Sequence, residues 1–215
     1  MDMTAFILSL GGLFALGMVH ALGPDHLAAI TTLAGPHPTR RRIVSVSGRF
    51  ALGHTGVLLA ASLLATLAGF LPSEGFIRIA ETVGGLLLVA LGALMLHSVW
   101  AHGHLLHEPA HQHGEQDSNA VHHPWLWGGL LATSGTRSLI LAIPAAAAAH
   151  SWWAPVLFAG AFGLGIISAM VVYGLLLGWG KERFITGARA EFVTGVAVSA
   201  ITMIVGFYWA LAEWI

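Results

Sequence analysis

Histidine at positions 20, 26 and 54 and aspartate at position 25 are the side chains whose type and spacing suit chemistry in this sequence. The run His20-Ala21-Leu22-Gly23-Pro24-Asp25-His26 sets two imidazoles around a carboxylate, and Leu52-Gly53-His54-Thr55-Gly56 adds a third imidazole. Two imidazoles with a carboxylate suit nickel, cobalt, zinc, copper or iron(II), whereas the all-oxygen shell favoured by magnesium or calcium is absent. All four residues sit in otherwise apolar stretches, where ionisable groups are costly and mark functional sites. A second concentration lies at residues 102 to 123, where His102, His104, His107, His111, His113, His122 and His123 stand beside Glu108, Glu115 and Asp117 with no Lys or Arg. So short a polar tract cannot bury a core, so it is expected to be unfolded without metal and to chelate divalent ions weakly through its His-x-His pairs.

The elements that position these residues follow from composition. Of 215 residues, 56% are hydrophobic and 9% charged, and the mean hydropathy is +0.79. A soluble domain carries roughly a quarter charged residues, so this chain is read as a membrane protein. Nine basic against ten acidic residues leave no excess of positive charge for a nucleic-acid backbone. The absence of cysteine excludes disulfides, iron-sulfur clusters and thiolate zinc sites. Six uncharged or nearly uncharged runs approach the ~20 residues a spanning helix needs: Met3 to Leu22, Phe50 to Leu71, Ile79 to Trp100, Trp125 to Ala149, Trp152 to Gly180 and Phe192 to Ala212. No Lys/Arg-rich leader precedes the first, which therefore reads as a mature span. Arg40, Arg41, Arg42 and Arg49 follow span one, and Lys181, Arg183 and Arg189 separate spans five and six. The positive-inside rule then puts both termini outside and the histidine-rich loop in the cytoplasm of an inner-membrane protein.

The first run does not stop at Leu22, because Leu27 to Ala34 is again apolar. One straight helix from Met3 to Ala34 would be about 48 Å long, against a bilayer core of about 30 Å. A break at Gly23-Pro24 is expected, since Pro24 has no amide proton for the His20 carbonyl, which would then be available to a ligand. Gly23 as N-cap, Pro24 at the first position and Asp25 in the first turn would start a second helix. Asp25 would turn a corner that otherwise repels cations into a cation site. The glycines beside His54 are expected to let its helix approach the break.

With these residues in view, His20, four intervening residues and Asp25-His26 resemble the His-x4-Asp-His signature of the nickel/cobalt transporter superfamily. Leu52-Gly53-His54-Thr55 is similar to its second motif, Leu-Gly-His-Ser/Thr. The form is nearest to the short urease-accessory-type (UreH/NicO-like) nickel permeases. The resemblance covers the first two spans, and the rest of the chain only as hydropathy. It implies a carrier of Ni(II) or Co(II) in the cytoplasmic membrane, with His20, Asp25 and His26 binding metal. The Asp-Thr motif of the longer permeases is missing from the second half.

Three blocks recur in order: Gly11-Gly12 with Gly128-Gly129, Phe50 to Gly53 with Phe162 to Gly165, and Ala80-Glu81 with Ala190-Glu191. Three spans per copy make the copies inverted, a transporter architecture with its substrate site at broken helices near the midplane. The expected organisation is a first repeat at 1–101, the histidine loop at 102–123 and a second repeat at 124–215. Arg137 falls level with His20 in this alignment, and Asp25, Glu81 or Glu191 is its expected carboxylate partner, as a gate or a structural pair. Glu81 and Glu191 read equally as ion way stations or helix-start acids, and His97 and His150 as interfacial.

No Walker phosphate loop and no His-Glu-x-x-His helix are present, so ATP hydrolysis by that route and intramembrane metalloproteolysis are excluded, and no catalytic residue is assigned. The expected function is a permease for Ni(II) or Co(II) by alternating access, not an enzyme, without organic cofactor, and with a cytoplasmic metal chaperone or nickel-enzyme maturation protein as partner. Efflux for metal tolerance uses the same residues. A bis-histidine membrane cytochrome is the alternative from another class, but it gives Asp25 and Pro24 no role.

Overall fold

The computed structural model describes residues 2–35, 38–69, 73–103, 123–135, 153–185, 187–212 and 214–215. These residues form seven α-helices: α1 (Met3–Ala21), α2 (Pro24–Ala34), α3 (Arg40–Ala68), α4 (Glu74–Gly103), α5 (Pro124–Leu131), α6 (Ala154–Phe184) and α7 (Ala188–Ala212), with a 3-10 turn at Ala132–Gly135 after α5. Five of them, α1, α3, α4, α6 and α7, are long and apolar enough to cross a membrane. The chain is an all-helical, multi-pass membrane protein. Of the expected fourth span, only α5 and the 3-10 turn are described; its remainder, including Arg137, and His150 just after it lie outside the described residues.

Helix and apolar run do not coincide at their ends. α3 begins at Arg40, ten residues ahead of the run that starts at Phe50. Arginine is a good helix former, and its long stem keeps the guanidinium in water while the backbone stays helical. Hydropathy therefore marks the stretch in lipid, and the helix outruns it.

The break after α1 takes the expected place. Asp2 caps the other end of α1, its Oδ1 accepting the Ala5 amide at 2.7 Å. The last turn of α1 tightens, with the Leu22 amide donating to Val19 and the Gly23 amide to His20. Gly23 then caps α2, its carbonyl accepting from the amides of His26 and Leu27. α2 is about 16 Å long, half a bilayer core, and Asp25, His26, Ala28, Ala29, Ile30, Thr32, Leu33 and Ala34 are buried on it. α1 by contrast leaves Ile7, Leu8 and Val19 exposed, a surface suited to lipid.

α2 is thus a buried half-helix, packed against α3, α4, α6 and α7, while α1 lies on α6, α3 on α5 and α6, and α4 on α7. Glycines set these crossings, since close backbone approach is what gives helices their attraction in lipid. A methyl group at Gly17 would meet the Phe162 carbonyl, and one at Gly165 the Phe14 carbonyl. The α3–α5 crossing repeats this, Gly128 meeting Phe50 and Gly53 meeting Trp125. Phe14 and Gly17 thus meet α6 much as Trp125 and Gly128 meet α3. α5 gives way to a 3-10 turn after Leu131.

One end of the bundle gathers the basic residues. Arg42 Nε donates to the Ala34 carbonyl at 3.0 Å, and Arg40 at the start of α3 lies 4.0 Å from Glu182 near the end of α6. The rings of Trp100 and Phe192 bring the end of α4 to the same face. At the opposite end Trp214 Nε1 donates to Thr82 Oγ1 at 3.0 Å.

Candidate metal centre

Three helices deliver three imidazoles to one point. His20 comes from the last turn of α1, His26 from the first turn of α2 and His54 from the middle of α3. Nε2 of His54 lies 3.3 Å from Nε2 of His20 and 3.2 Å from Nε2 of His26. Ligand atoms of all three fall within 4.8 Å of one another, the group of His and acidic side chains with metal-binding geometry among the described residues. His26 is 3% exposed and His54 not at all.

Asp25 stands behind this cluster, its Oδ1 2.9 Å from His26 Nδ1. A neutral imidazole has one N–H and one lone pair. If His26 gives its Nδ1–H to the carboxylate, its Nε2 lone pair is aimed at the cluster, the arrangement in which a carboxylate orients a metal-binding histidine. One proton on His54 Nε2 cannot serve both neighbouring rings, whereas lone pairs turned to a common point are what a cation takes. Nitrogens 3.2 and 3.3 Å apart, each about 2.1 Å from a metal, subtend about 100° there, between octahedral and tetrahedral values.

Local packing fixes the rings. Phe50, one turn before His54, stacks on it at 5.9 Å between centroids, and Phe162 of α6 lies 5.7 Å from His20. Gly23 is needed for space and not for its backbone angles, which are ordinary for a residue before proline (φ −56°, ψ 143°). A Cβ there would lie 2.6 Å from Asp25 Oδ1 and 3.2 Å from His26 Nδ1.

Two local expectations change. The His20 carbonyl accepts the Gly23 amide at 3.0 Å, because the last turn of α1 closes as a 3-10 turn and takes up the group that Pro24 leaves. The glycines beside His54 do not face the break: Gly53 packs on the Trp125 backbone of α5, and a methyl at Gly56 would meet nothing.

The other expected residues are scattered. Glu81 is 1% exposed in the body of α4, two turns past its start, so it is not a helix-start acid. Glu191 is one, in the first turn of α7, and lies 3.0 Å from Lys181 Nζ. His97 is exposed. His102 belongs to the last turn of α4, and His123 precedes α5 with its ring against Trp125. His104, His107, His111, His113 and His122 lie outside the described residues.

Sequence reading missed the polar line that continues from His26 along α2. Thr31 Oγ1 donates to the Leu27 carbonyl at 2.6 Å and meets Tyr173 Oη at 2.7 Å, and Thr32 Oγ1 lies 2.8 Å from Thr202 Oγ1. Tyr173, one of only two tyrosines and set within an apolar span, was the available signal.

The chain is 30% identical over 197 residues to "Putative manganese efflux pump MntP" of Pelotomaculum thermopropionicum, with 84% of this chain and 91% of that protein covered. The chain belongs to the MntP family. That match reaches well beyond the two spans that carry the histidine motifs. No family model and no solved structure matches this MntP-family chain.

Proposed function

We propose that this MntP-family chain is a permease for a divalent transition metal, Ni(II) or Co(II), working by alternating access around His20, His26 and His54, with Asp25 orienting His26. The observation that carries the reading is the meeting of three Nε2 atoms at a buried point where α1 breaks into α2. Imidazole nitrogen suits nickel, cobalt, copper and zinc, while manganese prefers carboxylate, carbonyl and water. The buried surroundings require the ion to shed much of its water, and intramembrane ionisable clusters of this kind mark ion pathways.

The repeats at 1–101 and 124–215 are the two bodies that rock about this point. The matched glycine crossings of α1 on α6 and of α5 on α3 support an inverted pair, as does the interruption of α5 after Leu131. The basic end faces the cytoplasm by the positive-inside rule, and loop 102–123 collects or delivers ions there, directly or through a metal chaperone.

A second reading is manganese efflux, favoured by the name of the relative and not by the ligand set. Flux of radiolabelled nickel, cobalt and manganese in oriented proteoliposomes separates the two. Nickel or cobalt flux that is lost in His54→Ala, with manganese slower by at least about tenfold, is expected from the affinity order of divalent metals. Manganese as the fastest ion would overturn the assignment, and the direction of flux distinguishes uptake from efflux.

A further inference from the structure

One face of α3 at the basic end carries positive charge that no described residue takes up. Arg41, Ser45 and Arg49 recur at every fourth position, so they stand one above another, and all three are exposed. Leu52, 62% exposed, and Gly56 continue the same face into the apolar run. Methyl groups at Gly48 and Gly56 would meet nothing, so no described helix covers this strip. The neighbouring cations have partners within the protein: Arg40 lies 4.0 Å from Glu182, Arg42 Nε donates to the Ala34 carbonyl, and Lys181 Nζ donates to the Pro38 carbonyl and lies 3.0 Å from Glu191. Among the described residues, the side chains of Arg41 and Arg49 have no ion pair or hydrogen bond.

The depth of Arg49 follows from its neighbours. It directly precedes the apolar run from Phe50 and lies one turn from Gly53, which packs on the backbone of Trp125. The Trp125 ring is half exposed at the start of α5, and tryptophan settles at the headgroup level. Helical side chains lean toward the helix amino end, so the Arg49 guanidinium leans toward Ser45 and Arg41, out of the hydrocarbon. A guanidinium at that level matches a phosphate with paired N–H donors, and Ser45 adds a hydroxyl.

We infer that the Arg41–Ser45–Arg49 face of α3 is a docking surface for an anionic phospholipid, its phosphate on the arginines and an acyl chain along Leu52 and Gly56. Charge complementarity selects this occupant, because the cations stand at the edge of the hydrocarbon and the strip below them is apolar and open. Gly56 lies about 10 Å along the axis from Arg49, the depth of the middle of an acyl chain whose phosphate sits at the arginine.

The chain has no cysteine, so Gly56→Cys gives a sole thiol on this face that takes a bimane fluorophore. The labelled full-length protein is reconstituted in phosphatidylcholine vesicles holding a small share of lipid brominated at mid-chain, either phosphatidylglycerol or phosphatidylcholine, and quenching is measured against that share. Brominated phosphatidylglycerol is expected to be preferred, by about fivefold for each arginine. Arg49→Gln should lose one such factor and Arg41→Gln with Arg49→Gln the whole preference, whereas Arg49→Lys should keep it. Arg183→Gln, which removes an exposed cation of the same end on α6, should leave the preference unchanged. Equal quenching by the two lipids, a preference that survives the double substitution, or one that Arg183→Gln lowers as much as Arg49→Gln overturns the inference. So does competition by inorganic phosphate at constant ionic strength, which would make this a site for free anions, and so does the absence of quenching by either lipid, which would show the face covered by protein.

Discussion

His26 and His54 differ in what stands behind them, and that difference predicts how each responds to change. His26 is held by Asp25 through Nδ1, whereas His54 owes its position to α3 and to the stacked ring of Phe50. His54→Ala removes a proposed ligand outright and is expected to lower Co(II) affinity more than Asp25→Asn, which would loosen a proposed orienting group at a cost of about 10–100-fold. Isothermal titration of the three proteins checks the order, and an Asp25→Asn loss as large as that of His54→Ala would make Asp25 a ligand itself. Ligand binding requires neutral imidazoles, so protons compete with metal. Affinity is therefore expected to fall on acidification, measured by Co(II) absorption. At this scale the sequence was largely legible, because intramembrane histidines are rare and costly. The position of Asp25 behind His26 was not, because spacing does not show on which side of an imidazole a neighbouring carboxylate stands.

Among the elements, the junction of α1 and α2 carries the site, and its weak point is Gly23. A side chain there meets Asp25 Oδ1 and His26 Nδ1, so Gly23→Ala is expected to weaken metal binding while far-ultraviolet dichroism stays helical. Retained affinity would show that the pair can shift aside. The break itself was readable, since a proline in an overlong apolar run must interrupt it. The close approaches were not: Gly128 and Gly53 look like any small residue in an apolar span, and only the crossing of α3 and α5 shows that a methyl at either would strike a facing carbonyl. Leucine at Gly128 should wedge that crossing apart, at a cost of about 1–3 kcal/mol or more, read as a lower melting temperature in detergent, whereas leucine at Gly56, which faces nothing, should not.

At the scale of the whole molecule, the six-run hydropathy pattern conveyed a membrane bundle but not its interior. α2, too short to count as a span, is the most enclosed of the described helices, while α1, apolar along most of its length, is mostly surface. Periodicity could not separate them, because lipid-facing and buried residues are equally apolar in a membrane protein. The histidine-rich loop is proposed only to collect or deliver ions. Its removal, residues 102 to 123, is expected to leave transport in place and to change its dependence on metal concentration, measured as flux against free Ni(II). Complete loss of flux with normal membrane insertion would make the loop part of the carrier.

The enclosure of α2 also bears on how the protein is made. Eleven residues with a buried carboxylate are too few and too polar to be accepted as a span of about 30 Å, so α2 is carried in behind α1 and has no seat until α3, α4, α6 and α7 surround it. Two of those four, α6 and α7, come after α5 in the chain. The proposed metal centre is then enclosed only once α6 and α7 are in place, although its residues precede both helices in the chain. Chains halted before α6 would carry His20, His26 and His54 in the membrane without their affinity for metal.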